Sequence, residues 1–291
     1  MIQSSGFFVP IGPLQPADDA ALEVIHESED GHCILLKGHR NDRIVVYKAL
    51  KPAFRDDPVH QRMLHREYEI GATLQHPGIC QVLDWKTLPK YGDSIEMEWI
   101  DGCTLGEWLD THRQSRMLTR KVLLDICDAV EYIHRKQVIH KDLKPENILV
   151  TRQGDHIKII DFGLSDTDSI LTGKEPGGTW KYAAPEVLSG EAADERSDIY
   201  SLGIMIREAG PGYAAVARKC IAANPNDRFP SAEAVRQALL RKKRSWLVPI
   251  IAAVLLLVAA VFVLMAIYPR ETASDLFLKA VQDVHQAATP S

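Results

Sequence analysis

Short apolar runs separated by turn residues characterise the first hundred positions of the chain. The turn GHRN at residues 38–41 joins two such runs, which predicts a β-hairpin. A helical stretch follows over about residues 57–75. The strands predicted from aliphatic or β-branched runs cover residues 33–38, 43–50, 79–85 and 94–100. This part of the chain is therefore predicted to be a β-sheet with one helix.

Helical periodicity takes over beyond Gly102. Apolar residues recur there at three- and four-residue steps and predict one buried helix face, formed by Val122, Leu123, Ile126, Ala129, Val130 and Ile133. Short strands are predicted at 147–150 and 157–160, and helical patterns resume from 184 to 240. A β-rich half followed by a helical half predicts an α+β fold of two lobes with a cleft between them.

A different pattern occupies residues 247–268, which are 22 residues without a charged side chain. About 20 apolar residues suffice to cross a bilayer as a helix. The basic juxtamembrane segment 241–246 precedes the run, and a basic excess marks the cytoplasmic flank. The sequence predicts a single-pass transmembrane helix with residues 1–245 in the cytoplasm and the tail 269–291 outside. A buried core helix is the alternative.

The two flanks of this run have their own interpretations. Residues 241–244 read RKKR and are interpreted as a topology anchor that contacts anionic lipid, with a nucleic-acid patch as the alternative. The tail carries a partial helical stripe that suits a partner, a homodimer contact or the membrane surface, formed by Leu276, Phe277, Ala280, Val281 and Val284. The lipid bilayer is therefore a predicted partner of the chain.

Charge and cysteine usage exclude several classes of protein. The formal net charge is −5 and the pI is near 6.1, whereas a protein that coats nucleic acid needs a basic excess. The five cysteines are odd in number and contain no C-x-x-C pair, so neither a disulfide framework nor a zinc site is expected. The histidines are scattered and contain no H-E-x-x-H motif. A reducing compartment fits this composition.

Candidate chemistry is concentrated between residues 138 and 163. Asp142 is able to accept a proton from an incoming hydroxyl, and Lys144 is able to neutralise a phosphoryl group in transit. Asn147 and Asp161 are oxygen donors of the kind that hold Mg²⁺ against triphosphate oxygens. Each residue alone is most simply a surface charge or a loop cap. Together, in this order, they predict phosphoryl transfer.

With these motifs the sequence resembles the eukaryotic-type protein kinase family, which is common in bacteria as membrane-anchored Ser/Thr kinases. HKDLKPEN at 140–147 matches the catalytic loop, in its Ser/Thr version, and DFG at 161–163 matches the magnesium-binding triplet. GTWKYAAPE at 178–186 resembles the end of the activation segment, and SDIYSLG at 197–203 resembles the helix that supports the catalytic loop. The resemblance implies lobes at 22–101 and 102–240 after an extension over 1–21.

The same resemblance assigns roles to these residues. It implies that Asp142 is the catalytic base, that Asn147 and Asp161 hold Mg²⁺ (or Mn²⁺), and that ATP is the phosphoryl donor. Asp198 would bind the backbone of the catalytic loop. Glu186 would pair with Arg228, which lies in NPNDRF at 224–229.

In the small lobe, the resemblance implies a nucleotide site built from single residues. Lys48 in VVYKAL occupies the place of the lysine that holds the α- and β-phosphates, and Glu67 is its helix partner. Met97 would be the gatekeeper beside adenine, and backbone groups from Glu98 to Ile100 would bind the base.

Three departures from the family pattern affect this interpretation. The phosphate-covering loop retains only Gly31 of three glycines, which predicts weak or atypical nucleotide binding. The arginine before the catalytic aspartate is Lys141, which lacks a bidentate fork for a phosphate on the activation segment. Only 25 residues separate Gly203 from Arg228, so elements that usually dock protein substrates are predicted to be missing.

Three functions remain open at this point. The first is a membrane-anchored serine/threonine protein kinase that transfers the ATP γ-phosphoryl group to protein substrates. The second is a pseudokinase that acts as a membrane-tethered binding module, and the third is a small-molecule phosphotransferase. Self-phosphorylation is a further expectation for the hydroxyls of the activation segment, Ser165, Thr167, Ser169 and Thr172.

Overall fold

The computed structural model describes residues 22–27, 31–162, 179–241, 247–267 and 273–287. Its internal contacts divide the chain into two units, Met1–Arg241 and Lys242–Ser291. The first unit holds every predicted site residue, and within it a β-rich lobe precedes a helical lobe.

The first lobe is built on an antiparallel sheet. Its strands are β1 Glu23–Glu27, β2 Cys33–Arg40, β3 Arg43–Leu50, β4 Val82–Leu88 and β5 Gly92–Glu98, in the order β1-β2-β3-β5-β4. Helix α1, Pro58–Thr73, packs on the sheet. Asp57 starts this helix because its carboxylate accepts from the Val59 amide at 3.0 Å and Pro58 takes the first position. The predicted hairpin and helix are confirmed.

The next two predicted strands are displaced, since β4 starts three residues after the predicted 79–85 and β5 starts two residues before the predicted 94–100. The prediction of 79–85 was wrong at its start, because Ile79 forms a parallel bridge with Ile159 of the other lobe. The Cys80 amide donates to the Ile159 carbonyl at 2.8 Å, and the Ile159 amide donates to the Gly78 carbonyl at 2.9 Å. The apolar character of Ile79 and Cys80 therefore reflects burial between the lobes, and β4 begins only at Val82.

The second lobe combines a small sheet with helices. Strands β6 Gly102–Thr104, β7 Ile148–Thr151 and β8 Ile157–Ile159 pair in that order. Sequence periodicity missed β6, as it missed β1, because three residues are too few to show alternation and β1 is exposed throughout. The helices are α2 Leu105–His112, α3 Arg116–Arg135, α4 Pro185–Leu188, α5 Glu195–Glu208, α6 Ala214–Cys220 and α7 Ala232–Leu240.

The core of the second lobe lies between α3 and α5. The predicted apolar face of α3 is confirmed, since each of its members has at most 1% of its surface exposed: Val122, Leu123, Ile126, Ala129, Val130 and Ile133. On α5, Gly203 allows α6 to approach closely, because a Cβ atom there would lie 2.4 Å from the Cys220 Cβ. The short connection after α5 thus places α6 directly on α5.

Two helices belong to the second unit, α8 Leu247–Ile267 and α9 Ala273–Ala287. Side chains of α8 are described from residue 252 onward, and they are exposed. Across the residues that the structure describes, no helix combines the length and the apolar character needed to cross a membrane. The described residues therefore do not support the transmembrane helix predicted at 247–268.

Candidate active site

A buried ammonium group joins the two lobes at the cleft. Lys48 Nζ, from β3, donates to Glu67 Oε1 and Oε2 at 2.6 and 2.7 Å and to Asp161 Oδ1 at 3.1 Å. Lys48 and Glu67 are 8% and 7% exposed, whereas the Asp161 side chain is 36% exposed. Asp161 follows β8, so a strand of the second lobe supplies the third member of the group. The expected pairing of Lys48 with Glu67 is present, and Asp161 joins the pair.

The electrostatics of this group follow from two carboxylates facing one cation. Burial and the nearby Asp161 carboxylate raise the pKa of Glu67 to about 7, against the opposing effect of Lys48. Burial by itself would lower the pKa of Lys48, but Asp161 and Glu67 together raise it well above its usual value. The lysine therefore stays charged, and two carboxyl groups share its one positive charge, with Glu67 partly protonated near neutral pH.

The catalytic loop brings the side chains of Asp142, Lys144 and Asn147 together. Lys144 Nζ donates to Asp142 Oδ2 at 2.8 Å. Asn147 Nδ2 donates to the Asp142 carbonyl at 2.8 Å and to Asp142 Oδ2 at 3.0 Å. The nitrogen of the Asn147 side chain is used in these two bonds. Its Oδ1 atom is therefore the atom suited to bind a metal ion. The loop is thus organised around the Asp142 carboxylate.

A fully buried carboxylate on α5 holds this loop in place. Asp198 is 0% exposed and accepts from the amides of His140 and Lys141, each at 2.8 Å. Lys141 has a φ of +65°, which is unfavourable for a lysine, so these bonds hold a strained backbone next to Asp142. His134 Nε2 lies 2.8 Å from Asp198 Oδ2, a third contact that the sequence did not indicate. The loop-binding role expected for Asp198 is confirmed.

Two further contacts frame the site. The His140 and Phe162 rings lie 5.2 Å apart, which packs the catalytic loop against the residue after Asp161. Arg228 NH1 and NH2 donate to Glu186 Oε1 and Oε2 at 2.6 and 2.8 Å, as expected. Ser197 Oγ donates to the same carboxylate at 2.8 Å. The bonds to Glu186 fix α4, which contains this residue, against the helical lobe.

The remaining predicted residues line the cleft less directly. Met97 is 7% exposed and packs with Val46 and Ile95, and Ile100 packs partly buried on the same cluster. Gly31 precedes β2, but residues 28–30 of the phosphate-covering loop lie outside the described residues. Gly163 and the hydroxyls expected to be phosphorylated, at 165–172, also lie outside them. Their predicted roles stay predictions.

The side chain of Glu98 has a role that sequence reasoning missed. Its Oε1 atom accepts from the Gln81 amide at 2.9 Å and from Lys158 Nζ at 2.5 Å. The sequence offered only a weak signal, an alternation of charged and apolar residues in IKII at 157–160. The partners of Glu98 are 17 and 60 positions away in the chain.

The donors present fit a nucleotide-bound divalent cation. Asn147 precedes β7 and Asp161 follows β8, and the Ile160 amide donates to the Asn147 carbonyl at 3.0 Å, which holds the two positions side by side. The described residues contain no group of three or more His, Cys, Asp or Glu side chains arranged to hold a metal. Two oxygen ligands without a full protein cage are typical of Mg²⁺ that is completed by phosphate oxygens.

A two-lobed α+β fold with a lysine–carboxylate group in its cleft and an Asp–Lys–Asn loop beneath defines a phosphotransferase type of protein. The family model described as the protein kinase domain matches residues 22–219. The chain belongs to the protein kinase family.

Similar proteins agree with this assignment. The chain is 37% identical over 182 residues to a probable serine/threonine-protein kinase of Streptomyces coelicolor, covering 58% of this chain and 26% of the relative. It is 29% identical over 252 residues to the serine/threonine-protein kinase PknB of Mycolicibacterium smegmatis, covering 71% and 40%. The matched part is thus less than half of either curated relative.

The fold also matches solved structures. A crystal structure of the Mycobacterium tuberculosis PknI kinase domain superposes with a TM-score of 0.57 at 23% identity, covering 76% of this chain and 94% of that domain. At this identity the likeness concerns the fold.

Proposed function

We propose that this protein is an ATP-dependent serine/threonine protein kinase. The observation that carries the proposal is the simultaneous contact of Lys48 Nζ with Glu67 and Asp161. In phosphoryl transfer this lysine binds the α- and β-phosphates only when its helix partner is in place, and the aspartate holds the metal. A lysine that contacts carboxylates from both lobes in this way suits a catalytic site better than a purely structural one.

The residues divide the work in a consistent way. ATP with its divalent cation supplies the phosphoryl group, and Asn147 and Asp161 would hold that cation. Lys48 would orient the α- and β-phosphates. Asp142 would accept the proton of the substrate hydroxyl, and Lys144, 2.8 Å from it, would neutralise charge on the transferred group.

The choice of serine or threonine in proteins has its own support. Lys144-Pro145 follows the Ser/Thr version of the catalytic loop, and the named relatives in Streptomyces and Mycolicibacterium are serine/threonine-protein kinases. Glu186, held by Arg228, fixes the segment that faces protein substrates in this family. That segment distinguishes a protein kinase from a small-molecule phosphotransferase.

The deciding experiment is phosphoryl transfer by the full chain in detergent micelles. Radiolabelled ATP, Mg²⁺ and a generic protein acceptor should give labelled serine and threonine, and the Asp142→Asn variant should not. Nucleotide binding without transfer in the wild type would contradict catalysis and favour the pseudokinase. Transfer only to sugars or amines would favour the small-molecule enzyme.

We also propose that residues 247–268 anchor the chain in a membrane with the kinase lobes in the cytoplasm. The support is the run of 22 residues without a charge, the RKKR segment before it and the exposed apolar side chains of α8 over 252–267. The full chain expressed in bacteria should stay in the membrane fraction after alkaline carbonate extraction, and a Leu256→Lys/Val258→Lys variant should be released. Extraction of the wild type would contradict the anchor.

A further inference from the structure

The hinge, the segment 98–100 that connects the two lobes, takes part in an ion pair. This pair has no role in the catalytic assignments above. Glu98 ends β5, at the point where the chain leaves the first lobe, and Lys158 is the middle residue of β8 in the second lobe. Their side chains are 29% and 19% exposed. The pair is therefore partly desolvated, and its attraction is screened less than that of a surface pair.

One carboxylate oxygen joins three segments at this point. Glu98 Oε1 accepts from Lys158 Nζ at 2.5 Å and from the Gln81 amide at 2.9 Å. The Glu98 amide in turn donates to the Gln81 carbonyl at 3.0 Å, and Lys158 Nζ also reaches the Ile79 carbonyl at 3.4 Å. The hinge, the loop between α1 and β4, and β8 are thus held together through side chains as well as backbone.

This point is connected to the metal ligands through β8. The strand ends at Ile159, two residues before Asp161. The loop that contacts it is also fixed to α3, since the Gln75 amide donates to the Tyr132 hydroxyl at 2.9 Å. A change in the distance between Glu98 and Lys158 would therefore move the hinge relative to Asp161.

The pair faces away from the catalytic group. Glu98 and Lys158 line a cavity of about 760 Å³ together with residues of the α1–β4 loop, α3 and the β7–β8 turn, and neither Lys48 nor Asp161 lines it. An effect of Glu98 or Lys158 on nucleotide binding would therefore have to act through the position of the lobes and not through contact with the nucleotide.

We propose that Glu98 and Lys158 form a positioning clamp that sets the hinge at the correct distance from Asp161 and so determines the affinity for ATP. This inference rests on the proposed kinase function. A nucleotide must contact the hinge and Lys48 in one lobe and the metal ligands in the other. If the lobes move more freely relative to each other, binding must fix their relative position, and this cost lowers the affinity. Once the nucleotide is bound it bridges the lobes itself, so the chemical step should change little.

The test is a double-mutant cycle in the full chain with Glu98→Gln, Lys158→Gln and the double variant. Glutamine at 98 keeps an acceptor for the Gln81 amide and removes only the charge. Each single variant should raise the KM for ATP by about fivefold to tenfold at nearly constant kcat, the scale of one charged hydrogen bond. The double variant should be no worse than either single variant. Multiplying effects, or an unchanged KM, would overturn the clamp.

A matched control lies beside the same cavity. Asp101 pairs with Arg152 at 3.0 Å, but these side chains are 67% and 74% exposed. Asp101→Asn should leave the KM for ATP unchanged, because exposed pairs contribute little. A rise in KM equal to that of Glu98→Gln would mean that general charge near the hinge, and not the clamp, is responsible.

A second measurement keeps the clamp testable without catalysis. Amide hydrogen exchange at Cys80 and Ile159, whose amides donate between loop and β8, should accelerate in both single variants and not in Asp101→Asn. Unchanged exchange would overturn the clamp. A wild type that neither binds ATP nor transfers phosphate would instead overturn the proposed function, and the exchange result would still decide on the clamp.

Discussion

Two buried ion-pair groups in this protein show how charge balance separates a working site from a structural one. Glu186 and Arg228 form a one-to-one pair with two parallel hydrogen bonds, and Ser197 adds a third to the carboxylate. Lys48, by contrast, faces both Glu67 and Asp161. The first group pairs one carboxylate with one guanidinium, whereas the second has two carboxyl groups for one ammonium, and its Asp161 side chain is 36% exposed.

The pKa shifts of the two carboxylates follow the same difference. The pKa of Glu186 is lowered, because its hydrogen bonds from Arg228 and Ser197 outweigh the effect of burial. The pKa of Glu67 is raised to about 7, because burial and Asp161 outweigh Lys48. The Glu186 carboxylate thus has a partner of its own, whereas the Glu67 carboxylate shares Lys48 with Asp161.

The largest expected effect concerns the balanced pair. Arg228→Met leaves the Glu186 charge buried without its partner, so the free energy of unfolding should fall by about 3–5 kcal/mol. Chemical denaturation of the wild type and the variant measures this. The double variant Glu186→Leu/Arg228→Met should recover part of the loss, and a double variant as unstable as the single one would contradict the assignment.

Substitution of Asp161, the partly exposed member of the second group, should change activity and not stability. Asp161→Asn removes the carboxylate proposed to hold the metal, and turnover should fall by about 100- to 1,000-fold, the scale of one lost electrostatic contact. Circular dichroism should show that the variant is folded. Undiminished metal-dependent turnover would contradict the role of Asp161.

A smaller effect follows from the raised pKa of Glu67. Because the folded pKa, about 7, lies above the ordinary 4.5, the folded chain keeps a proton that the unfolded chain releases as the pH rises between these values. This contribution is present at low pH and is lost toward pH 7. The stability of the wild type relative to Glu67→Gln should fall by about 2 kcal/mol between pH 5 and pH 7.5. Thermal midpoints across this range test it, and a constant difference would contradict it.

The smallest effect sets the scale for an exposed pair. Arg113 lies 3.4 Å from Asp110 on the surface, with side chains 52% and 76% exposed. Asp110→Asn should change the free energy of unfolding by less than about 0.5 kcal/mol in the same denaturation experiment. A loss as large as that of Arg228→Met would mean that burial does not explain the difference between the two groups.

Much of the fold could be predicted because it depends on local pattern. The apolar face of α3, from Val122 to Ile133, depends on residues three or four positions apart. The hairpin of β2 and β3 depends on residues two positions apart. The catalytic loop was also predictable, since Asp142, Lys144 and Asn147 lie within six positions. In these cases the residues that interact are neighbours in the chain.

The start of β4 and the role of Glu98 could not be predicted in this way. Ile79 and Cys80 are as apolar as a strand of their own sheet would be, but they pair with Ile159 of β8 in the other lobe. The Glu98 carboxylate is indistinguishable in sequence from a solvated surface charge. Its meaning depends on Lys158, 60 positions later.

By itself, the sequence determined which side chains are available for chemistry and which faces of the helices are apolar, because both depend on residue type and short-range spacing. The tertiary structure decided which charges share one buried space. Lys48 and Asp161 are 113 positions apart, and only the packing of β8 against the first lobe brings them to 3.1 Å. That packing places two carboxyl groups and one ammonium group together in the cleft. The pKa of each group then depends on the partners and the burial that folding provides.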